Sequence, residues 1–189
     1  MSKTRSNYDP AKIDKLVDKA QQGDQQAFAQ IYKIFADPIY RFALIKLSDR
    51  DKAEDVVAET FRRLWRYLDR YRAKNFRSYI FTIARNIIID IYKQESKENL
   101  ARIEDCSWLE DDSEGIEVTL IKEERKQTLY KAVRKLPENY KQVITLRFIE
   151  ELSIKETAVI LKRTQVSVRV MQHRGLKKLR ALLEGKIQS

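Results

Sequence analysis

The chain has 189 residues, 38 of them Lys or Arg and 28 Asp or Glu, a net charge of +10 that favours a polyanionic partner such as nucleic acid or an acidic membrane surface. Four glycines scattered singly leave no glycine-rich loop to cradle a nucleotide phosphate, and one His with one Cys excludes the usual zinc ligand sets and a disulfide within the chain. The opening MSKTRSNYDP lacks a signal peptide's apolar segment, and no run approaches the roughly 18 apolar residues of a membrane span, so the expectation is a cytoplasmic protein without membrane insertion.

Few Gly, three Pro and long segments rich in Ala, Glu, Lys, Leu and Arg predict an all-α fold. Ile13, Leu16, Val17 and Ala20 mark a short first helix ending at Gly23, with Asp24 placed to cap the next. That second helix carries Ala27, Phe28, Ile31, Tyr32 and Phe35. Asp37-Pro38 then predicts a break or a restart through Ile39, Phe42, Ala43 and Leu47. Ser48 is read as the start of another helix, in which Ala53, Val56, Val57, Thr60, Phe61, Leu64, Trp65 and Leu68 hold the helical period for about four turns.

Beyond the polar loop at residues 72–75 comes FRSYIFTIARNIIIDIYKQ, from Phe76 to Gln94. Ile80, Ala84, Ile87 and Ile91 form one apolar face, which is core. A second stripe, Phe81, Arg85, Ile88 and Tyr92, runs beside it with Arg77, Tyr79 and Lys93 near. It admits two readings: two-sided packing, or contact with unpaired nucleic acid, whose bases stack on rings while cations follow phosphates.

From Ile103 to Ile121 there are seven acids and no base. This is an acidic linker. Without those seven, 38 bases face 21 acids, a net +17 in two basic ends joined by a strap that nucleic acid would repel. The second half opens near Val118 with a helix bearing Leu129, Ala132, Val133 and Leu136, ended by Pro137, and continues through Val143, Ile144, Leu146 and Phe148. Ser153 with Glu156 has the spacing of a capping box, and Ala158 and Leu161 face inward behind it. A turn at Lys162 and Arg163 leads to Thr164, a second cap, and to a last helix with Val168, Leu176 and Leu179 inward. Its outer face carries Gln165, Ser167, Arg169, His173, Arg174 and Lys177. Short helix, tight turn and basic helix make a helix-turn-helix, whose second helix fits the major groove.

The order of DRDKAEDVVAETFRRLW, FRSYIFTIARNIIIDIYK, an acidic linker, LPENYKQVITLRFIEELSIKETAVIL and VRVMQHRGLKKLR resembles an extracytoplasmic-function (ECF) sigma factor of bacterial RNA polymerase, over about residues 27–180. The resemblance implies two small helical domains. Residues 1–96 are region 2, which binds the polymerase clamp and melts the promoter's minus-ten element. Residues 97–117 are the linker, and 118–189 are region 4, which reads the minus-thirty-five element. By that resemblance Lys74, Asn75, Arg77, Tyr79, Arg85, Asn86 and Lys93 contact the minus-ten strand. Asn75 hydrogen-bonds a base flipped out at a cost of a few kcal/mol, although Asn86 and Asp90 could instead bond each other. Thr164, Gln165, Ser167, Arg169, Val170, His173, Arg174 and Lys177 face the minus-thirty-five duplex. Asp51, Glu54, Asp55, Glu59, Arg62 and Arg63 dock on the polymerase, and Trp108 and Leu109 either anchor the linker or form a buried patch.

The chain departs from the family at Ala58, usually Gln, at Lys162, commonly Gly in the turn, and at Gln172, expected as a core Leu whose packing falls to Met171 or Leu176. The expected partners are core RNA polymerase, promoter DNA (duplex upstream, single-stranded downstream) and an anti-sigma factor of the kind common in the family. No catalytic residue, cofactor or metal is expected. Two rivals remain: a stand-alone helix-turn-helix regulator binding duplex DNA, and a metal-dependent nuclease built on the carboxylates between Asp51 and Glu59.

Overall fold

Asp9 and Asp24 each stand just before a helix in extended backbone, and their carboxylates accept hydrogen bonds from the first free amides, which have no partner inside the helix. In a computed structural model, which describes residues 9–72, 75–102 and 122–184, these caps open α1 (Pro10–Gln21) and α2 (Gln25–Leu47). Gly23 turns the chain between them at φ +91°, a conformation that glycine adopts without strain.

The predicted break at Asp37-Pro38 does not occur, since α2 runs through Pro38 unbroken. Proline there removes one backbone hydrogen bond. Burial on both sides of it offsets the loss: Ile31, Phe35, Ile39, Phe42 and Ala43 lie on one continuous face and are all buried. Ser48 does not begin the next helix but ends this one in the left-handed region, and Asp49 is the cap of α3 (Arg50–Tyr67). The α3 stripe is buried as expected save for Trp65, half exposed, whose ring meets the edge of Phe28 at 4.7 Å.

α4 (Phe76–Arg102) packs against α2, α3 and the second half of the chain. Because neighbours surround it, both of its apolar stripes are core. Ile80, Ala84 and Ile87 are buried as read, and so are Phe81 and Ile88, Phe81 edge-on to Phe42 at 5.8 Å. The reading of this stripe as a stacking surface for bases is therefore corrected at Phe81 and Ile88. Tyr92 also turns inward, its hydroxyl donating to the Lys46 carbonyl at 2.5 Å. α4 continues to Arg102, past the expected start of the linker. Residues 103–121, with Trp108 and Leu109, lie outside the described residues.

In the second half, α5 (Lys122–Arg134) and α6 (Glu138–Ile144) are followed by a wider π turn, Thr145–Ile149, then α7 (Ile154–Leu161) and α8 (Gln165–Glu184). The capping box is formed: Ser153 Oγ accepts from the Glu156 amide at 3.1 Å, and Glu156 Oε2 from the Ser153 amide at 2.7 Å. The inward row of α8 is Val168, Gly175 and Leu179, with Met171 half buried, and Leu176 points outward, contrary to expectation. The reason is a close helix crossing at Gly175, where a Cβ would stand 3.1 Å from Ile144 Cγ1. Met171 takes up core packing in place of the expected Leu. Gln172 instead accepts a hydrogen bond from Arg147 Nε at 3.0 Å.

The halves share one apolar core. Leu146, Leu152, Ala158, Ile160, Leu161 and Val168 join the cluster built on α1–α4, while Ile45 of α2 is buried among Ala132, Val133, Leu136, Ile144 and Leu179. Among the described residues no strand occurs, and no helix is long and apolar enough to cross a membrane.

Candidate nucleic-acid interface

Asn75 sits one residue before α4 and caps it, its Oδ1 accepting from the Ser78 amide at 2.8 Å. That fixes the carboxamide, so its Nδ2 points away from the helix end and donates to Glu156 Oε1 of α7 at 3.1 Å. Arg77 is 9 % exposed and reaches across to the second half, donating to the carbonyls of Glu150 and Glu151. Tyr79 is half buried, its ring 4.8 Å from Tyr71, and burial raises its hydroxyl pKa. Farther along the helix, Arg85 and Asn86 are half buried and Lys93 is exposed. Arg85's pKa is lowered by burial first and by the charge of Arg163 second. Asp90 faces Arg63 of α3 at 3.7 Å. Lys74 lies outside the described residues.

A cleft of about 500 Å³ opens beside Asn75, walled on one side by Ser78, Tyr79 and Thr82 and on the other by Lys155, Glu156 and Val159. The structure thus brings Asn75, Arg77 and Tyr79 to one place. It also shows what sequence reasoning missed, namely that Glu156 of the other half accepts from Asn75, which stays exposed, and that the carbonyls of Glu150 and Glu151 accept from the buried Arg77. Nothing in residue periodicity marks those three acids. Only the folded chain places them there.

The second candidate surface is the outer face of α8. Thr164 Oγ1 caps the helix, accepting from the Ser167 amide at 3.1 Å. Gln165, Arg169, Val170, His173, Arg174 and Lys177 are exposed and Ser167 is half buried, a basic and polar face on one α-helix, an element that a major groove admits. Lys162 holds the turn in the left-handed region at φ 52°, which costs a side chain about 1 kcal/mol relative to glycine. Lys162→Gly is expected to raise stability by about 0.5–1 kcal/mol in urea melts, and a loss would show that the Lys162 side chain contributes contacts of its own.

The third is α3. Asp51, Glu54 and Asp55 are exposed. Glu59 accepts from Arg62 and Arg63 at 2.6 Å each, and those bonds, Arg62's first, bring its carboxyl down to about 2. Ala58 opens a groove of about 410 Å³ against Tyr32, Tyr40 and Val57. Among the described residues no three His, Cys, Asp or Glu side chains come together as a metal site.

Comparison with known proteins places these surfaces within a matched order. Residues 31–98 match the family model for Sigma-70 region 2, and residues 126–179 that for Sigma-70 region 4. The ECF RNA polymerase sigma factor SigW of Bacillus subtilis is 30% identical over 180 residues, covering 90% of this chain and 96% of SigW. The ECF RNA polymerase sigma factor BldN of Streptomyces coelicolor is 29% identical over 183 residues, covering 94% of this chain and 68% of BldN. Among solved structures, CnrH in complex with the cytosolic domain of CnrY superposes with a TM-score of 0.67 at 25% identity, covering 94% of this chain and 99% of CnrH. RpoE of Bartonella quintana, in complex with the anti-sigma factor NepR, superposes at 0.67 with 22% identity, covering 83% of this chain and 96% of that one. The latter likeness concerns the fold.

Proposed function

Since the chain belongs to the ECF branch of the sigma-70 family and directs RNA polymerase to promoters, we propose how its residues divide that work. Residues 1–96 form region 2 and residues 118–189 form region 4. The exposed row Arg169, His173, Arg174 and Lys177, with Thr164, Gln165, Ser167 and Val170 around it, reads and holds the duplex upstream element. Arginine can pair with two acceptors on a guanine edge or grip phosphates, and its position early in α8 suits the groove floor. Asn75 with Tyr79 receives a flipped base of the downstream strand: a carboxamide pairs with a base edge and a ring stacks. Arg77, Arg85, Asn86 and Lys93, with Lys74, lie along the same strand. The carboxylates Asp51, Glu54, Asp55 and Glu59, beside Arg62 and Arg63, dock on the polymerase clamp, where the groove at Ala58 takes the place of a longer polar side chain. CnrH, seen in complex with the cytosolic domain of CnrY, supports a protein partner for this chain as well, which we take to be of anti-sigma type. The site is in the cytoplasm, with the polymerase.

The observation that carries the assignment is an exposed basic α8 in a chain whose other half places Asn75, Arg77 and Tyr79 at one end of α4. It is tested by mapping promoter opening with permanganate on variant promoters. Arg169→Ala is expected to cost about 1–3 kcal/mol at the upstream element and to relax its sequence preference. Asn75→Ala is expected to reduce opening while leaving upstream recognition intact. Equal losses whatever the sequence of either element would refute this division.

A further inference from the structure

Buried hydroxyls normally have a hydrogen-bond partner, and Ser78 departs from that rule. It is 4% exposed in the first turn of α4, and among the described residues its Oγ has no partner. Ser78 lines the cleft of about 500 Å³ between α4 and α7, a volume within the range that small organic ligands occupy. Neither this hydroxyl nor the wall that α7 supplies has a part in the promoter contacts assigned to α4.

Asn75 sets the spacing at one end of the cleft. Its carboxamide accepts from the Ser78 amide at 2.8 Å and donates to Glu156 Oε1 at 3.1 Å, so one planar amide spans the gap from α4 to α7. Glu156 Oε2 accepts from the Ser153 amide, which leaves each carboxylate oxygen a second lone pair for a ligand. Burial opposes the charge on Glu156, but hydrogen bonds from Ser153 and Asn75 outweigh it and hold the carboxyl below the usual carboxylate range. The cleft therefore offers a charged acceptor, Glu156, and an unused hydroxyl, Ser78. Beside them lie the half-buried ring of Tyr79 on one wall and the exposed Val159 on the other, surfaces against which a flat heterocycle stacks. The lining holds one cation, Lys155, against one carboxylate. Those charges cancel and favour an uncharged ligand over an anion.

We propose that this cleft is a binding site for a free nucleoside with an amidine edge, an amino group beside a ring nitrogen, as in cytidine and adenosine. The amino group donates to Glu156, the ring nitrogen accepts from Ser78 Oγ, and the base lies between Tyr79 and Val159. Uridine reverses that pattern, setting a carbonyl oxygen against the carboxylate and a ring N–H against the hydroxyl. The site draws on both halves of the chain. It does not rest on the assignment of Asn75 and Tyr79 to promoter DNA, since Ser78, Glu156 and Val159 belong to it alone.

The test is calorimetric titration of the full-length protein with cytidine, uridine, adenosine, inosine and cytidine monophosphate. A ligand of about twenty heavy atoms in such a cleft is expected to show a dissociation constant on the order of 0.1 mM. Cytidine and adenosine are expected to bind roughly tenfold more tightly than uridine and inosine, which lose a hydrogen bond to a charged group and leave an acceptor unpaired. Ser78→Ala removes only the hydroxyl, so it is expected to weaken cytidine about fivefold without lowering the urea midpoint. Glu156→Gln keeps the side chain's shape and the capping pattern but exchanges an acceptor for a donor, and the preference for cytidine over uridine is expected to fall to about one. No binding by any nucleoside at about tenfold above the expected constant would overturn the site. Equal affinity for cytidine and uridine would overturn the amidine reading, and cytidine binding untouched by Ser78→Ala would overturn the placement. Much tighter binding of the monophosphate would make this an anion site at Lys155 and overturn the choice of an uncharged ligand.

Discussion

Phe81→Ala is expected to destabilise the folded chain by about 3–5 kcal/mol, because a fully buried ring is removed from a packed core and leaves a cavity. Phe81 has 0% exposure and lies against Phe42, so the neighbours on α2 cannot close the gap without moving the long helix they belong to. Phe81→Leu, which keeps most of the volume, should cost under about 2 kcal/mol. Urea denaturation monitored by circular dichroism measures both. The contrast decides between the two readings that the sequence leaves open for this stripe. If Phe81 served as a stacking platform, its loss would spare stability and remove about 1–3 kcal/mol of single-strand affinity.

The second large effect is that of salt. If α8 and its flanks neutralise about five phosphates, binding of the free protein to duplex should weaken several-hundred-fold between roughly 50 and 200 mM monovalent salt. The exposed cations Arg169, Arg174, Lys177, Lys178 and Arg180 on α8 make that number of contacts reasonable. Removing one of them, as in Lys177→Ala, should lower the slope of log affinity against log salt by about one. A flat response in titrations at fixed pH would mean that the basic surface does not meet the phosphate backbone.

The all-helical fold, the caps at Asp24, Ser153 and Thr164, and the helix-turn-helix are legible in the sequence because each is set by neighbours a few residues apart. The misreadings share a cause. Pro38 marks a break only if local preference decides, and the buried row from Ile31 to Ala43 outweighs it. Leu176 looks inward by composition, yet the approach of Ile144 at Gly175 fixes the rotation of α8 one residue away. Phe81 and Ile88 resemble a ligand stripe until α4 is seen enclosed by α2, α3 and α7. The hydrogen bonds from Asn75 to Glu156 and from Arg77 to the Glu150 carbonyl link residues more than 70 positions apart, and no local pattern encodes them.

The most direct measurement is transcription in vitro from a genomic library by bacterial core polymerase, with and without this protein, followed by mapping of transcript starts. New starts sharing two spaced elements are the predicted result, with Arg169→Ala weakening dependence on the upstream one and Asn75→Ala on the downstream one. No new starts, together with sequence-specific duplex binding by the protein alone, would contradict the account and make the chain a stand-alone regulator.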